Sequence, residues 1–470
     1  MSFADHSIAD LGRLLRCREL SATELTRWTL EQAEATNGTL HAFISLLPER
    51  AMAEAAAADR AFASGIDLGP MQGIPYAAKD LFDAKGVATT CQSKFGLEAV
   101  ADADAGVIER LTTGGAVLIG KTSTFEYALY GPDPDLAFPL ARNPWNLEHY
   151  TGGSSSGSAV AIAAGLVRMG LGTDTGGSIR TPSSWCGTVG LKPTFGRVTR
   201  RGCFPLSASL DHCGPLTRSV SDAAIALQVL AGHDAGDPDC HDGPVPNYLE
   251  GLERSIAGTR VGIAVPLLET ASAETLAAVE RTADLLRSEG AEVFEVATPD
   301  LLSFGSVVRA LLIIEGYHVH EQRMRDRIED FGPLSARRLA LAPAYSAPDY
   351  LAALTARRLL AEAVSGVLRT CDVILCATTP GSAPALTQEA TPFDPATPSM
   401  TNPQNVMGNP AISVPVGLDS SGLPLAVQLV GRLFDEATLL QVAHTVERLT
   451  GWQKIGLPNV QRQPSQGVPA

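Results

Sequence analysis

One stretch, residues 151–180, constrains the fold of this chain more than any other, and it reads TGGSSSGSAVAIAAGLVRMGLGTDTGGSIR. Two Gly-Gly-Ser turns, at 152–154 and 176–178, lie on either side of a run of Ala, Val and Ile residues. The run is long enough for about three turns of helix, and glycine supplies the backbone conformations that tight turns need. The pattern therefore predicts two serine hydroxyls brought to one place, with their separation set by the helix between them.

Other kinds of site fit these glycines less well. Gly152-x4-Gly157 has P-loop spacing, but Ser158 stands where that motif requires lysine. Residues 153–157 satisfy the GxSxG pattern of a nucleophile elbow, although a polar, Pro/Asn-rich segment precedes them instead of a buried strand. Histidines lie downstream, so a Ser-His-Asp esterase stays open as an alternative. The histidines lack metal-ligand spacing with carboxylates, and we expect neither a metal nor another cofactor.

The charge, hydropathy and cysteine pattern of the chain exclude several classes of protein. The net charge is -15 and no basic run occurs, which argues against nucleic acid as a direct ligand. The N-terminus does not resemble a signal peptide, and no apolar stretch is long enough to suggest a membrane span. The eight cysteines are scattered without a CxxC pair, and we interpret them as free thiols in a reducing compartment. These features predict a cytoplasmic protein that does not enter membranes.

Strand-like and helix-like segments alternate along the chain, which predicts an α/β fold with a central mixed β-sheet covered by helices on both faces. We expect one domain over residues 1–470, with a helical segment at about 1–65, a core at about 66–235 and a sheet and helix part at about 250–460. Residues 260–296 have a strand-helix-strand pattern that predicts a parallel strand pair. Residues 380–410 are rich in Pro, Thr and Asn and predict a long loop of the kind that covers a site.

Lysine is scarce, and Lys79 occupies an unusual position at the end of the apolar, strand-like run 74–78. A salt-bridged or partly exposed lysine is one interpretation. The other is a buried lysine, because burial disfavours the ammonium form and can make a lysine act as a base near neutral pH.

The central block GGSSSGSAVAIAAGLVRMGLGTDTGGSIRTPSSWCGTVGLKPTFGRV resembles the defining block of the amidase signature family, and GIPYAAKDLFD resembles that family's lysine segment. Further similarity lies at 143–146 (NPWN), 210–224 (LDHCGPLTRSVSDAA) and 409–417 (NPAISVPVG). The resemblance covers most of the chain and is weak between about 235 and 400. It implies the amidase signature fold and a hydrolase that cleaves the C–N bond of a small amide through a serine acyl-enzyme.

The same resemblance implies a Ser-Ser-Lys triad, with Ser178 as nucleophile, Ser154 as the bridging serine and Lys79 as base. In relatives the bridging serine follows a cis peptide bond. The family's oxyanion hole consists of backbone N–H groups, and these map to Thr175, Gly176, Gly177 and Ser178.

The resemblance also suggests substrate-binding positions. Ala128, Tyr130 and Gly131 are expected to border the acyl pocket together with residues 380–410. Arg180 is a candidate contact for a substrate carboxylate, with an ion pair that holds the loop as the alternative interpretation.

Family members hydrolyse aryl or aliphatic amides, carbamates or urea-like amides. Others serve as the glutaminase component of a tRNA-dependent amidotransferase, a role that needs glutamine and partner subunits. The loops at 90–100 and 130–139 favour a stand-alone hydrolase of a small amide or carbamate, with ester hydrolysis as a side activity, acting as a monomer or homodimer. The glutaminase component of an amidotransferase and a non-catalytic binding protein on the same scaffold are the alternatives.

Overall fold

The computed structural model describes residues 3–98, 100–131, 133, 136–386 and 399–460. Within these residues, the strands form one mixed sheet in the order β1-β3-β2-β4-β6-β5-β10-β11-β9-β7-β8. In chain order they are β1 Phe43–Leu46, β2 Pro75–Lys79, β3 Val117–Thr122, β4 Met169–Asp174, β5 Val189–Lys192, β6 His212–Thr217, β7 Arg260–Ala264, β8 Glu292–Val296, β9 Val373–Ala377, β10 Ala411–Leu418 and β11 Pro424–Gly431.

Helices cover both faces of this sheet, so the predicted α/β class with a mixed sheet is confirmed. They are α1 Ile8–Arg16, α2 Ala22–Leu40, α3 Pro48–Ala63, α4 Gly106–Thr113, α5 Ser156–Ala163, α6 Arg180–Cys186, α7 Val220–Leu230, α8 Ala273–Ser288, α9 Leu301–Asp326, α10 Pro333–Leu339, α11 Ala347–Val367, α12 Asn402–Met407 and α13 Glu436–Thr450. The division of one domain into three parts stays a prediction.

The strand directions decide where functional side chains can meet. Strand β2 pairs in parallel with both β3 and β4. Parallel neighbours end at the same edge of a sheet, and loops at that edge commonly carry binding sites. Lys79 is the last residue of β2 and Asp174 is the last residue of β4. The lysine segment and the second Gly-Gly-Ser turn, which follows Asp174, therefore lie at one edge.

The structure differs from the prediction between the two turns. Helix α5 is shorter than the three turns predicted and ends at Ala163, and strand β4 begins at Met169. Glycines at alternate positions of β4 let helix α5 pack directly against the strand. A Cβ on Gly170 would lie 2.9 Å from the Cβ of Ser158 in α5. Only a strand without side chains on that face allows the helix to pack so closely. A helix and a central strand together, rather than one helix, set the separation of the two turns.

The structure also tests the predictions for strands β7 and β8, the cysteines and residues 380–410. The parallel pair β7 and β8 is confirmed, and the eight cysteines are free, with all but Cys17 and Cys203 buried. The predicted loop at 380–410 contains helix α12, while its residues 387–398 lie outside the described residues. Helix α9 is the one described helix whose length and apolar composition would suffice for a membrane span, and it packs against α11 and α12.

A buried ion pair connects the edge of β4 to the C-terminal part of the chain. Asp174 and Arg180 are both fully buried, and their Oδ1 and Nη2 atoms are 2.9 Å apart. The guanidinium also donates to side-chain oxygens of α12 and β11, namely those of Gln404, Asn405 and Gln428. The Nε, Nη1 and Nη2 groups of Arg180 all donate to other residues of the protein, so the guanidinium is not available to bind a substrate. The expected substrate contact at Arg180 is corrected to the ion-pair alternative.

We expect Arg180→Met to lower the free energy of unfolding by about 3–5 kcal/mol, because it leaves the Asp174 carboxylate buried without its counter-ion. Thermal and urea unfolding followed by circular dichroism measure the change. Arg287→Met is the control, since it removes a partly exposed arginine from its pair with Asp284 and should unfold like the wild type. A variant at 180 that kept full stability and lost only affinity for carboxylate-bearing amides would restore the substrate-contact interpretation.

Candidate active site

The first feature of the site is a direct contact between Lys79 and Ser154. The lysine Nζ lies 2.7 Å from Ser154 Oγ and 2.7 Å from Thr173 Oγ1. The lysine side chain is fully buried, and Ser154 is 1% exposed. The base and bridging serine expected from the sequence are thus within hydrogen-bond distance. The sequence had assigned no role to Thr173, which comes to the lysine because β4 lies beside β2.

The backbone around Ser154 allows this contact. The peptide bond between Gly153 and Ser154 is cis. A Cβ on Gly153 would lie 2.3 Å from the ring of Phe125, so only glycine fits between that ring and the turn. The N–H of Phe125 donates to the carbonyl oxygen of Ser154 at 3.3 Å, which ties the turn to the loop after β3.

Burial also sets the protonation of the lysine. Desolvation lowers the pKa of Lys79 to about 7, and the nearby carboxyl groups of Asp174 and Asp211 oppose that decrease only in part. The two hydrogen-bond partners of Nζ are neutral hydroxyls, which stabilise an ammonium less than a carboxylate would. A large fraction of the amine is therefore neutral at physiological pH, as a general base requires.

The second turn places Ser178 beside the first. Ser178 is partly exposed, and its carbonyl oxygen accepts from the N–H of Ser155 at 3.1 Å. The N–H of Gly177 donates to Asp174 Oδ1 at 2.8 Å, so this member of the expected oxyanion hole is corrected: its donor is already occupied. Within the described part of the chain, the N–H groups of Gly176 and Ser178 have no protein acceptor.

Both turns open onto one cavity of about 190 Å³. Its wall contains Ser154 and Ser178, together with the three positions suggested as the pocket border, Ala128, Tyr130 and Gly131. Arg180 is not part of the wall. Helix α9 closes one side with Leu302, Gly305, Val308, Arg309 and Leu312.

Two arginines in the wall were missed by sequence reasoning. Arg309 comes from α9 and Arg338 from α10, in the segment where the family resemblance is weak. The Arg338 guanidinium lies 5.0 Å from the ring centre of Tyr130, and its Nη1 donates to the carbonyl oxygen of Leu129 at 3.1 Å. Its Nε is buried and has no acceptor among the described residues. Burial lowers the pKa of Arg338 to about 10, so the side chain is still a cation at neutral pH.

The structure does not have the features of a nucleophile elbow or a metal centre in its described residues. The central serine of the GxSxG pattern is Ser155, which is fully buried and donates to the carbonyl oxygen of Thr173 at 3.1 Å. It follows an irregular segment rather than a strand, which contradicts a nucleophile elbow. Among the described residues, no group of three or more His, Cys, Asp and Glu side chains is arranged to hold a metal ion.

Known proteins are similar to this chain over most of its length. The family model described as Amidase matches residues 24–440. The chain is 39% identical to the A subunit of the glutamyl-tRNA(Gln) amidotransferase from Synechococcus sp. strain WH7803, over 94% of this chain and 96% of the relative.

Solved structures are also similar over nearly the whole chain. One belongs to a vestigial protein complex connected with the origins of an s-triazine catabolic enzyme, with a TM-score of 0.89, 34% identity, and coverage of 97% of this chain and 100% of the other. The peptide amidase from Stenotrophomonas maltophilia has a TM-score of 0.87 and 32% identity, and the match covers 97% of this chain and 99% of the amidase. The chain belongs to the Amidase family, the amidase signature family that its central block resembles, and is a hydrolase of that family.

Proposed function

We propose that this chain hydrolyses a small amide through an acyl-enzyme on Ser178, with Ser154 as proton bridge and Lys79 as base. The observation that carries the proposal is the 2.7 Å contact between the buried Lys79 amine and Ser154 Oγ, in the wall of the cavity that Ser178 also lines. A serine hydroxyl is a weak nucleophile until a base takes its proton, and this pair supplies the base.

The reaction follows from these positions. As Ser178 Oγ attacks the amide carbonyl carbon, its proton passes to Ser154, and the Ser154 proton passes to the neutral Lys79 amine. The N–H groups of Gly176 and Ser178 stabilise the negative charge that develops on the carbonyl oxygen. When the C–N bond breaks, Ser154 returns a proton to the leaving amine, and Lys79 restores the Ser154 proton. A water molecule then attacks the acyl-enzyme by the same route and releases the carboxylic acid.

The charge of the cavity favours a particular class of amide. Arg309 and Arg338 provide positive charge in a wall that is otherwise formed by apolar and small polar groups. A guanidinium is well suited to bind a carboxylate, and an interaction of this kind is strong where water is excluded. We therefore infer that the substrate is a small amide that carries a carboxylate.

Glutamine is the first substrate we infer, since it is a small amide with a carboxylate. The similarity to the amidotransferase protein from Synechococcus supports glutaminase activity, and with it the participation of partner subunits. This reverses the preference drawn from the loops, which favoured a stand-alone enzyme. A stand-alone amidase acting on another carboxylate-bearing amide is the second candidate, supported by the similarity to a peptide amidase. Carbamate or ester hydrolysis and a cytoplasmic location stay predictions.

Lys79 must be neutral to act, so the reactivity of Ser178 should depend on pH. We expect the rate of Ser178 labelling by a fluorophosphonate to rise with pH and level off above an apparent pKa of about 7. Lys79→Ala should lower the rate by about 10²–10⁴-fold, the usual contribution of a general base. Lys85→Ala, which changes an exposed lysine, is the matched control. A profile that is flat from acid to alkaline pH, or a normal rate in Lys79→Ala, would contradict the mechanism.

Arg338→Met should separate charged from neutral substrates. We expect the variant to lose about 30- to 150-fold in kcat/KM for glutamine, because a charged hydrogen-bonded contact is typically worth ~2–3 kcal/mol. Its kcat/KM for butyramide, an amide without a carboxylate, should change little. Ammonia release measures both reactions, on the chain alone and on the chain purified from its own cells with any bound subunits. Equal losses on both amides would refute carboxylate recognition by Arg338.

A further inference from the structure

The peptide between Gly176 and Gly177 is held at both of its polar ends. Its N–H, on Gly177, donates to Asp174 Oδ1 at 2.8 Å. Its carbonyl oxygen, on Gly176, accepts from Thr401 Oγ1 at 2.7 Å. A peptide unit is planar, so bonds at its N–H and its C=O together fix the rotation of the whole plane. The N–H groups of Gly176 and Ser178, which have no acceptor among the described residues, belong to the peptides on either side.

We infer that Thr401 is a positioning residue for the oxyanion site, acting through the Gly176 carbonyl. The inference rests on the proposed serine amidase function and adds a residue that the mechanism above does not use. Gly177 has a φ of +128°, and glycines at the turn leave the backbone free to rotate unless contacts prevent it. Without the Thr401 bond, Asp174 alone would hold this peptide, and the neighbouring N–H groups would lose their fixed direction.

The surroundings of Thr401 suit this task. Thr401 is fully buried immediately before helix α12, and it lies 225 positions after Gly176 in the chain. Its Oγ1 lies 2.8 Å from Ser399 Oγ. Because the Thr401 proton is given to Gly176, Ser399 is the donor in that second bond. A hydroxyl that accepts one hydrogen bond becomes a better donor in the next, so the pair strengthens the contact with the turn.

Close packing also holds the turn in place. A Cβ on Gly177 would lie 2.0 Å from Thr401 Oγ1, so the threonine hydroxyl fills the space where any side chain at 177 would begin. Thr401 does not contribute to the wall of the cavity, although its neighbours Ser399 and Asn402 do. The loss of its hydroxyl therefore affects the turn and removes no contact with a bound substrate.

The effect of losing the hydroxyl should appear in the chemical step. One oxyanion donor is typically worth ~10²–10³ in rate, and a misplacement of about 1 Å costs ~10². We expect Thr401→Ala to lower the second-order rate constant of Ser178 phosphonylation by a fluorophosphonate about 10- to 100-fold. Thr401→Ser keeps the hydroxyl and should react at close to the wild-type rate. Thr401→Val keeps the branched shape without the hydroxyl and should react like the alanine variant.

Thr282→Ala is the matched control, since Thr282 is also buried and donates its Oγ1 hydrogen to a backbone carbonyl, that of Ala278 at 2.8 Å, in a helix away from the site. We expect it to react at the wild-type rate. The apparent pKa of the rate profile should be the same in all variants, because Lys79 is not disturbed.

Each outcome has a distinct meaning. If the wild-type chain is not labelled at Ser178, the proposed function fails, and the inference fails with it. If the wild type is labelled and Thr401→Val reacts at the same rate, the proposed function stands and the inference is wrong. If Thr401→Ser is as slow as Thr401→Ala, the methyl group rather than the hydroxyl matters, and the inference is also wrong. Thermal unfolding of every variant confirms that rates are compared for folded protein.

Discussion

The site depends on one buried carboxylate, that of Asp174. It accepts from the backbone N–H groups of Gly177 and Ile179 and from the guanidinium of Arg180, all within a few residues of the turn that carries Ser178. Burial alone would raise the pKa of this carboxyl, but the charge and hydrogen bonds of Arg180, with help from Lys192 and Asn405, outweigh burial and hold the pKa well below its usual range. A buried charge with this many partners is costly to disturb, so the turn has one geometry.

Two buried lysines on adjacent strands show how the surroundings select a role. Lys121 on β3 pairs with Asp80 at 2.7 Å, and both side chains are fully buried. Lys79 on β2 is equally buried but meets only the hydroxyls of Ser154 and Thr173. A carboxylate partner stabilises the ammonium form, whereas hydroxyl partners leave desolvation to dominate. The same residue type therefore serves as a structural cation on one strand and as a candidate base on the next.

The part of the chain that follows the signature block completes the site from outside that block. Thr401 and Asn405 reach the second turn, and α9 and α10 bring Arg309 and Arg338 to the cavity. Thr401 and Asn405 form hydrogen bonds with the backbone of residues 174–176. Arg309 and Arg338 place positively charged groups in the wall of the cavity. In the mechanism we propose, the signature block supplies the reacting groups and the later helices supply the contacts that select the substrate.

The sequence by itself determined the elements with strong local signals. The parallel pair β7 and β8 and the lysine at the end of β2 were both predicted, because hydrophobic periodicity acts over a few neighbouring positions. The roles of Lys79, Ser154 and Ser178 came from resemblance to a family. Strand β4 escaped prediction because glycine is uncommon in strand interiors and is typical of turns.

Only the tertiary structure decided which of these residues meet. It showed that Arg180 holds the turn, that the Gly177 N–H is occupied, and that Thr173, Thr401 and Arg338 lie at the site. The positions of Thr173, Thr401 and Arg338 depend on contacts between segments far apart in the chain; Thr401, for example, lies 225 positions after Gly176. Local patterns carry no information about such contacts, since they form only when the strands of the sheet take their final order.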